Sequence, residues 1–250
     1  MMEGVVMMSN IVLNLLVFDE QVKKGNLQSN LIREGIKLGF NQFEVRREYF
    51  SNIEKESVDI KKLADEFDLE LFYSVPDEVF KQGEINTNLQ TYLEEAKVFG
   101  AKHIKWNIGD FENFKGELTK LTVLTNQGIE VNIENDQTEL SGKIKAIEAF
   151  MKAVTKEGVN IGYVYDLGNW PFVEEDETEA AKKLAQYVKY IHVKDVKKQQ
   201  GKPLVKPLDH GDIDWRACLA ILPSDVPIAI EYPTRSSKEI LTAKELLEEV

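Results

Sequence analysis

Cysteine and histidine are the scarce residues of this chain. Its 250 residues include one Cys and three His. The single Cys218 excludes a disulfide framework and any cysteine-rich zinc site. Three histidines are too few for a multi-histidine metal cluster. No uninterrupted apolar run approaches the roughly 18 residues of a membrane span. Residues 1–10, MMEGVVMMSN, are apolar but lack a basic n-region and a long h-region, so they read as a ragged or disordered start rather than a signal peptide. No GxGxxG follows the first apolar run, no Gly-rich phosphate cradle is visible, and no Pro/Gly/Ser-rich linker divides the chain. Basic residues are outnumbered 31 to 43, for a formal net charge of −12. Such an acidic chain repels phosphate backbones, which argues against a nucleic-acid partner. The expectation is a soluble, cytoplasmic protein with no membrane or nucleic-acid partner.

Short apolar runs alternate with longer amphipathic ones. Strands are predicted at 11–18, 42–46, 69–75, 101–109, 129–135, 160–166, 189–195 and 226–232, the third stopped by Pro76. Helices are predicted at 27–40, 58–68, 88–100, 111–128, 141–158, 176–188, 213–222 and 236–250, several closed by Gly. Eight strand–helix pairs of about 31 residues each suit a (β/α)₈ barrel. Helical crossovers imply parallel pairing. The predicted fold is therefore α/β, a single-domain (β/α)₈ TIM barrel over 11–250. A doubly wound open sheet is the alternative, disfavoured by eight uninterrupted units and the missing GxGxxG.

Active-site groups of such barrels sit at the C-terminal strand ends. Strand five ends Val131-Asn132-Ile133-Glu134, strand six Tyr163-Val164-Tyr165-Asp166 and strand eight Ile228-Ala229-Ile230-Glu231, while strand seven carries Tyr190-Ile191-His192-Val193-Lys194. Side chains alternate along a strand. If Val131, Ile133, Tyr163, Tyr165, Ile191, Val193, Ile228 and Ile230 face the helices, Glu134, Asp166, His192 and Glu231 converge in the lumen. Two Glu, one Asp and one His make a ligand set for a divalent cation. Three mutually repelling carboxylates give a reason for one to be there. Any one of the four alone reads equally well as a salt-bridge partner.

The segments IEVNIENDQT, VYDLGNW, YIHVKD and AIEYP resemble the sugar phosphate isomerase/epimerase superfamily, the xylose-isomerase-like TIM barrels. LDHGDIDW (208–215) is similar to that family's Gly-x-Gly-x-Ile-Asp segment. The resemblance implies that Glu134, Asp166, His192 and Glu231 are ligands of a divalent ion (Mn, Mg, Co or Zn). It further implies that Glu134 and Glu231 exchange protons with substrate carbon on opposite faces, the metal stabilising the enediolate. Asp195 would orient its neighbourhood. Two departures stand out: Asn169 replaces a His three residues after the strand-six Asp, and Asn107 replaces a His near the end of strand four. The scarce histidines also argue against the endonuclease IV branch, whose trinuclear zinc site needs several.

Softer candidates for substrate binding are Glu44, Lys105, Asn107, Asn169 and Lys194. Glu44 reads equally well as a partner of Arg46 or Lys105. His103 lies deep in a strand, where a satisfied core His is the commoner reading, and His210 lies in a polar loop. Trp106 and Trp170 are the right type to stack on a sugar, although packing is commoner. Lys194, Lys197, Lys198, Lys202 and Lys206 form a basic island suited to a phosphorylated or carboxylated substrate, with a solvated loop as the default. The expected activity is metal-dependent isomerisation or epimerisation of a small sugar or polyol derivative. The alternatives are a lyase of the inosose dehydratase type and a non-catalytic sugar-binding barrel; a homo-oligomer is left open.

Overall fold

In a computed structural model, the described residues 10–250 form a ring of eight parallel strands. These are β1 (Ile11–Asn14), β2 (Gln42–Arg46), β3 (Glu70–Lys81), β4 (His103–Gly109), β5 (Glu130–Glu134), β6 (Gly162–Asp166), β7 (Val188–Val193) and β8 (Ile228–Ile230). Each pairs with its sequence neighbours, and β8 closes the ring on β1 through Ile11↔Ile228, Val12↔Ala229 and Leu13↔Ile230. The predicted TIM barrel is therefore the observed architecture. Residues 1–9 of the ragged start lie outside the described residues.

A helix follows each strand: α1 (Gln28–Lys37), α2 (Ile53–Phe67), α3 (Leu89–Phe99), α4 (Thr122–Thr125), α5 (Ile144–Lys156), α6 (Glu177–Leu184), α7 (Trp215–Leu219) and α8 (Ser237–Glu248). Side-chain caps set several starts. Asn52, Asp176, Asp214 and Ser236 each accept from a backbone N–H in the first turn. The Asn52 cap explains why α2 begins before the predicted residue 58. Among the described residues, no helix is long and apolar enough to cross a membrane.

Strand alternation sorts the side chains into two layers. Val131, Ile133, Tyr163, Tyr165, Ile191, Val193 and Ile230 join the core between strands and helices, with Ile228 packed at its edge. The opposite phase fills the lumen with a separate apolar plug of Val12, Phe72, Val164, Tyr190 and Ala229. Polar side chains one step further along the same strands stand above that plug.

Four expectations need correction. The helix at 111–128 reduces to α4 and a preceding 3₁₀ turn, Leu118–Leu121. Phe111 and Phe114 have helical spacing, yet they pack on Phe80 from an irregular segment, at centroid distances of 5.3 and 4.7 Å. The first strand ends at Asn14 and tightens into a 3₁₀ turn, because Asn14 accepts from Leu16 N at 2.9 Å. Pro76 does not stop β3: the register shifts between Ser74 and Glu78, so an exposed Pro at the irregularity owes the ladder no N–H. The Lys-rich segment after β7 is an antiparallel hairpin, Asp195–Gln199 with Lys202–Lys206, rather than a loop.

Candidate metal centre

Glu134, Asp166, His192 and Glu231 end or nearly end β5, β6, β7 and β8, and all four are buried. Each offers one donor atom, and these donors lie within 4.8 Å of one another. His192 is the hinge of the arrangement. Its Nε2 lies 2.8 Å from Glu44 Oε2, which also accepts from the Tyr190 hydroxyl at 2.5 Å. Its Nδ1 faces the cluster, 2.7 Å from Glu134 Oε1 and 3.5 Å from Glu231 Oε1. Neither Nδ1 nor Glu134 Oε1 makes a hydrogen bond, although both are buried. Buried polar atoms are nearly always paired. Two buried polar atoms without hydrogen-bond partners, gathered with an Asp166 and a Glu231 oxygen within 4.8 Å, are a donor set that a cation would satisfy. A carboxylate behind the imidazole is the usual support of a ligating His. The donor set therefore fits a divalent ion.

Built-in cations hold the carboxylates. Lys194 Nζ bridges Asp166 Oδ2 at 2.5 Å and Glu231 Oε2 at 2.7 Å. Lys105 pairs with Glu134 Oε2. Arg46 Nη1 contacts Glu231 Oε1 at 3.0 Å, while its Nε is held by Glu48 at 2.7 Å. These cations decide the proton distribution. Burial pushes the Glu231 carboxyl up, but Lys194, His192 and Arg46 together hold it well below its usual range. Burial opposes Lys105 and His192 at Glu134 as well, and the cations win, bringing it to about 2. Asp166 goes the other way: burial raises it to about 8, Lys194 opposes that only in part, and the Glu231 and Glu134 charges add to it. Two carboxylates share one ammonium, and Glu231 also has Arg46. Burial alone would depress His192, yet Glu44, Glu231 and Glu134 raise it well above its usual value.

The Asp-x-Gly turn after β6 has a steric reason. A Cβ on Gly168 would stand 2.2 Å from Lys194 Cγ, so only glycine lets that side chain reach Asp166. The Gly168 N–H also donates to Asp166 Oδ1 at 3.0 Å. Asn169, standing where the family pattern has His, donates to Asp166 Oδ2 at 2.7 Å and to Asn135 O at 2.8 Å, and accepts from Gln137. Asn107 is half-buried on the lumen face of β4 beside Glu134.

Other candidates fall elsewhere. Glu44 lies fully buried beneath His192 rather than at the mouth, and its partners are His192 and Tyr190 rather than Arg46 or Lys105. Asp195 does not touch the cluster: its carboxylate accepts from Val196, Gly211 and Ile213 N. His103 sits at the opposite end of the lumen, stacked on Phe72 at 4.1 Å and placed between Glu70 and Glu130. Trp106 and Trp170 are packed in the outer core. Sequence reasoning missed Arg46, Asn14 and Tyr190 as site residues. Each lies two positions from a lumen-facing residue on its own strand, which was the available signal.

The family model for the xylose isomerase-like TIM barrel matches residues 32–249. No curated protein matches the sequence. Among solved structures, the IolI protein with a binding zinc atom superposes at TM-score 0.75 with 15% identity, over 95% of this chain and 96% of that one. The probable 3-DHS dehydratase AsbF of Bacillus anthracis gives 0.68 with 13% identity, over 96% and 98%. The 3-keto-D-glucoside 4-epimerase YcjR of E. coli gives 0.65 with 13% identity, over 97% and 100%.

Proposed function

This chain belongs to the xylose isomerase-like TIM barrel family, and we propose that it is a divalent-metal-dependent isomerase or epimerase of a small sugar or polyol derivative. The observation that carries the proposal is the convergence of Glu134, Asp166, His192 and Glu231 donors within 4.8 Å at the C-terminal strand ends. These four residues would hold the ion, with Mn, Mg, Co and Zn all compatible with an oxygen-rich set containing one imidazole. When bound, the ion supplies Lewis acidity at the substrate carbonyl and so acidifies the adjacent C–H.

The chain's own residues do the rest. Glu134 and Glu231 end strands on different sides of the ring, so each addresses a different face of a substrate seated over the cluster. Both are held ionised, as a base must be. One would remove the proton alpha to the carbonyl and release it to solvent after turnover, while the other, having first taken a proton from solvent, would deliver it to the opposite face. Lys105 and Lys194 stand beside the two carboxylates and are placed to offset negative charge on the substrate oxygens. Asn107 supplies a neutral hydrogen-bonding group for a hydroxyl, and Asn169, whose amide hydrogens are held by Asp166 and Asn135, offers a further acceptor through its Oδ1. Glu44 and Tyr190 fix the His192 ring. A reducing, cytoplasmic setting suits the single free, buried Cys218.

The test is proton exchange in D₂O with the metal-loaded protein and a panel of ketoses and inososes. Deuterium entering alpha to a carbonyl, lost in both Glu134→Gln and Glu231→Gln, supports the mechanism. Loss of one water from the product assigns the lyase reading instead. Binding without exchange across the panel assigns the non-catalytic barrel.

A further inference from the structure

The basic island in the sequence acquires a place in the fold. The hairpin after β7 is anchored by Asp195, whose Oδ2 accepts from Gly211 N at 2.7 Å and whose Oδ1 accepts from Ile213 N at 3.1 Å. Its ladder pairs Lys197 with Leu204 and Lys206 with Asp195, so Lys197 and Lys206 share one face as diagonal neighbours. That face meets Arg235 and Lys238 from the start of α8, together with His210, around a groove of about 640 Å³. Leu208 and Tyr232 give it an apolar floor.

Among the described residues, none of Lys197, Lys206, Arg235 and Lys238 forms an ion pair, whereas cations elsewhere on the surface do, such as Arg216 with Asp209 and Lys182 with Glu179. The one acid lining the groove is Glu239, which accepts from the Arg235 backbone N–H at 2.8 Å and serves the helix start. Four cations thus face one carboxylate in a chain whose net charge is −12. The cations are exposed or half-buried, so water screens their mutual repulsion, and the concave shape still focuses their field on an anionic ligand.

We propose that this groove binds a small metabolite bearing an oxyanion, a phosphate in the first instance. The groove sits beside the strand end that supplies His192 and Lys194, so the anion is either the tail of a substrate or a separate effector. The four cations do not contact the carboxylate cluster, so the binding test needs neither metal nor activity. Failure of the proposed reaction would therefore leave it standing, and the reverse also holds.

The experiment is calorimetric titration of the metal-free full chain, in chelator, with inorganic phosphate and with pyrophosphate. Saturable binding is expected, weakened at least tenfold in Lys206→Gln/Arg235→Gln and weakened by added salt. The control Lys156→Gln, at the exposed end of α5, should bind as the parent does. Absence of saturable binding overturns the proposal, and so does equal binding by the parent and the double variant. In the proton-exchange assay, competitive inhibition by phosphate assigns the groove to the substrate's tail. A change in rate without competition assigns it to a separate effector.

Discussion

Replacing Lys194 with Met measures how far the carboxylate cluster depends on an internal cation. The side chain keeps its apolar stem and loses the ammonium that bridges Asp166 and Glu231 at 2.5 and 2.7 Å. Removing one partner of a buried ion pair costs about 3–5 kcal/mol. Two features place this case at the low end. Arg46 remains 3.0 Å from Glu231, and Asp166, already raised to about 8, escapes its own charge by holding a proton at neutral pH. A loss of about 3 kcal/mol in a chain of this size lowers Tm by about 6–12 °C. A divalent ion at a hundred times its Kd returns about 2.7 kcal/mol. Because the ammonium and the ion serve the same carboxylates, the variant should gain more from metal than the parent does. Thermal and urea unfolding of both proteins, in chelator and in Mn²⁺, reads this directly. A Lys194→Met protein as stable as the parent in chelator would refute the reasoning, as would equal stabilisation of both by metal.

Gly168→Ala should displace the same side chain, since its Cβ would stand 2.2 Å from Lys194 Cγ; the expected cost in urea unfolding is about 1–3 kcal/mol, and because Met keeps a Cγ the steric part of that cost should persist in the Lys194→Met background. Glu44→Gln removes the carboxylate behind His192 and should weaken metal binding about 10–100-fold by titration while leaving far-UV circular dichroism unchanged. At the other end of the lumen, burial disfavours charged His103, but Glu130 and Glu70 outweigh it and raise its pKa to about 9. Since the folded pKa exceeds the unfolded value of about 6.5, this stabilisation is complete below about pH 6.5 and is lost as pH rises through about 9. Screening at the partly exposed partners limits it to about 1–2 kcal/mol, so His103→Gln should destabilise at pH 6 and cost much less at pH 10 in urea unfolding. Gly211→Ala would put a Cβ 2.0 Å from Asp195 Oδ1, so limited proteolysis within 195–206 should accelerate.

The barrel and the four convergent residues were legible because both rest on local periodicity. Alternation along β5 to β8 decides which side chains turn inward, and no knowledge of partners is needed for that. Partners are another matter. Tyr190 reaches Glu44 across 146 positions of sequence, and Arg46 reaches Glu231 across 185; both contacts depend on which strands become neighbours and at what register. Glu44 was therefore seen as a carboxylate at a strand end, while its place beneath His192 was not. The hairpin at 195–206 was hidden for a different reason. Its turn uses Gln200 and Gly201, with φ of 52° and 77°. Such a turn is signalled in sequence by Asn-Gly or Asp-Gly, and Gln in the first position mutes the signal. Asp209 shows the converse. It adopts φ 63° where the family pattern has Gly, and its carboxylate is held by Trp215 Nε1 at 2.9 Å and by Arg216.

The central claim is that Glu134, Asp166, His192 and Glu231 together hold one divalent ion. Manganese titration of the metal-free protein, followed by electron paramagnetic resonance of the free ion, tests it most directly. The account predicts one Mn²⁺ bound per chain in the parent, and loss of that binding in Asp166→Asn and in Glu231→Gln variants that remain folded. A parent chain that binds no Mn²⁺, or folded variants that bind it as tightly as the parent, would contradict it.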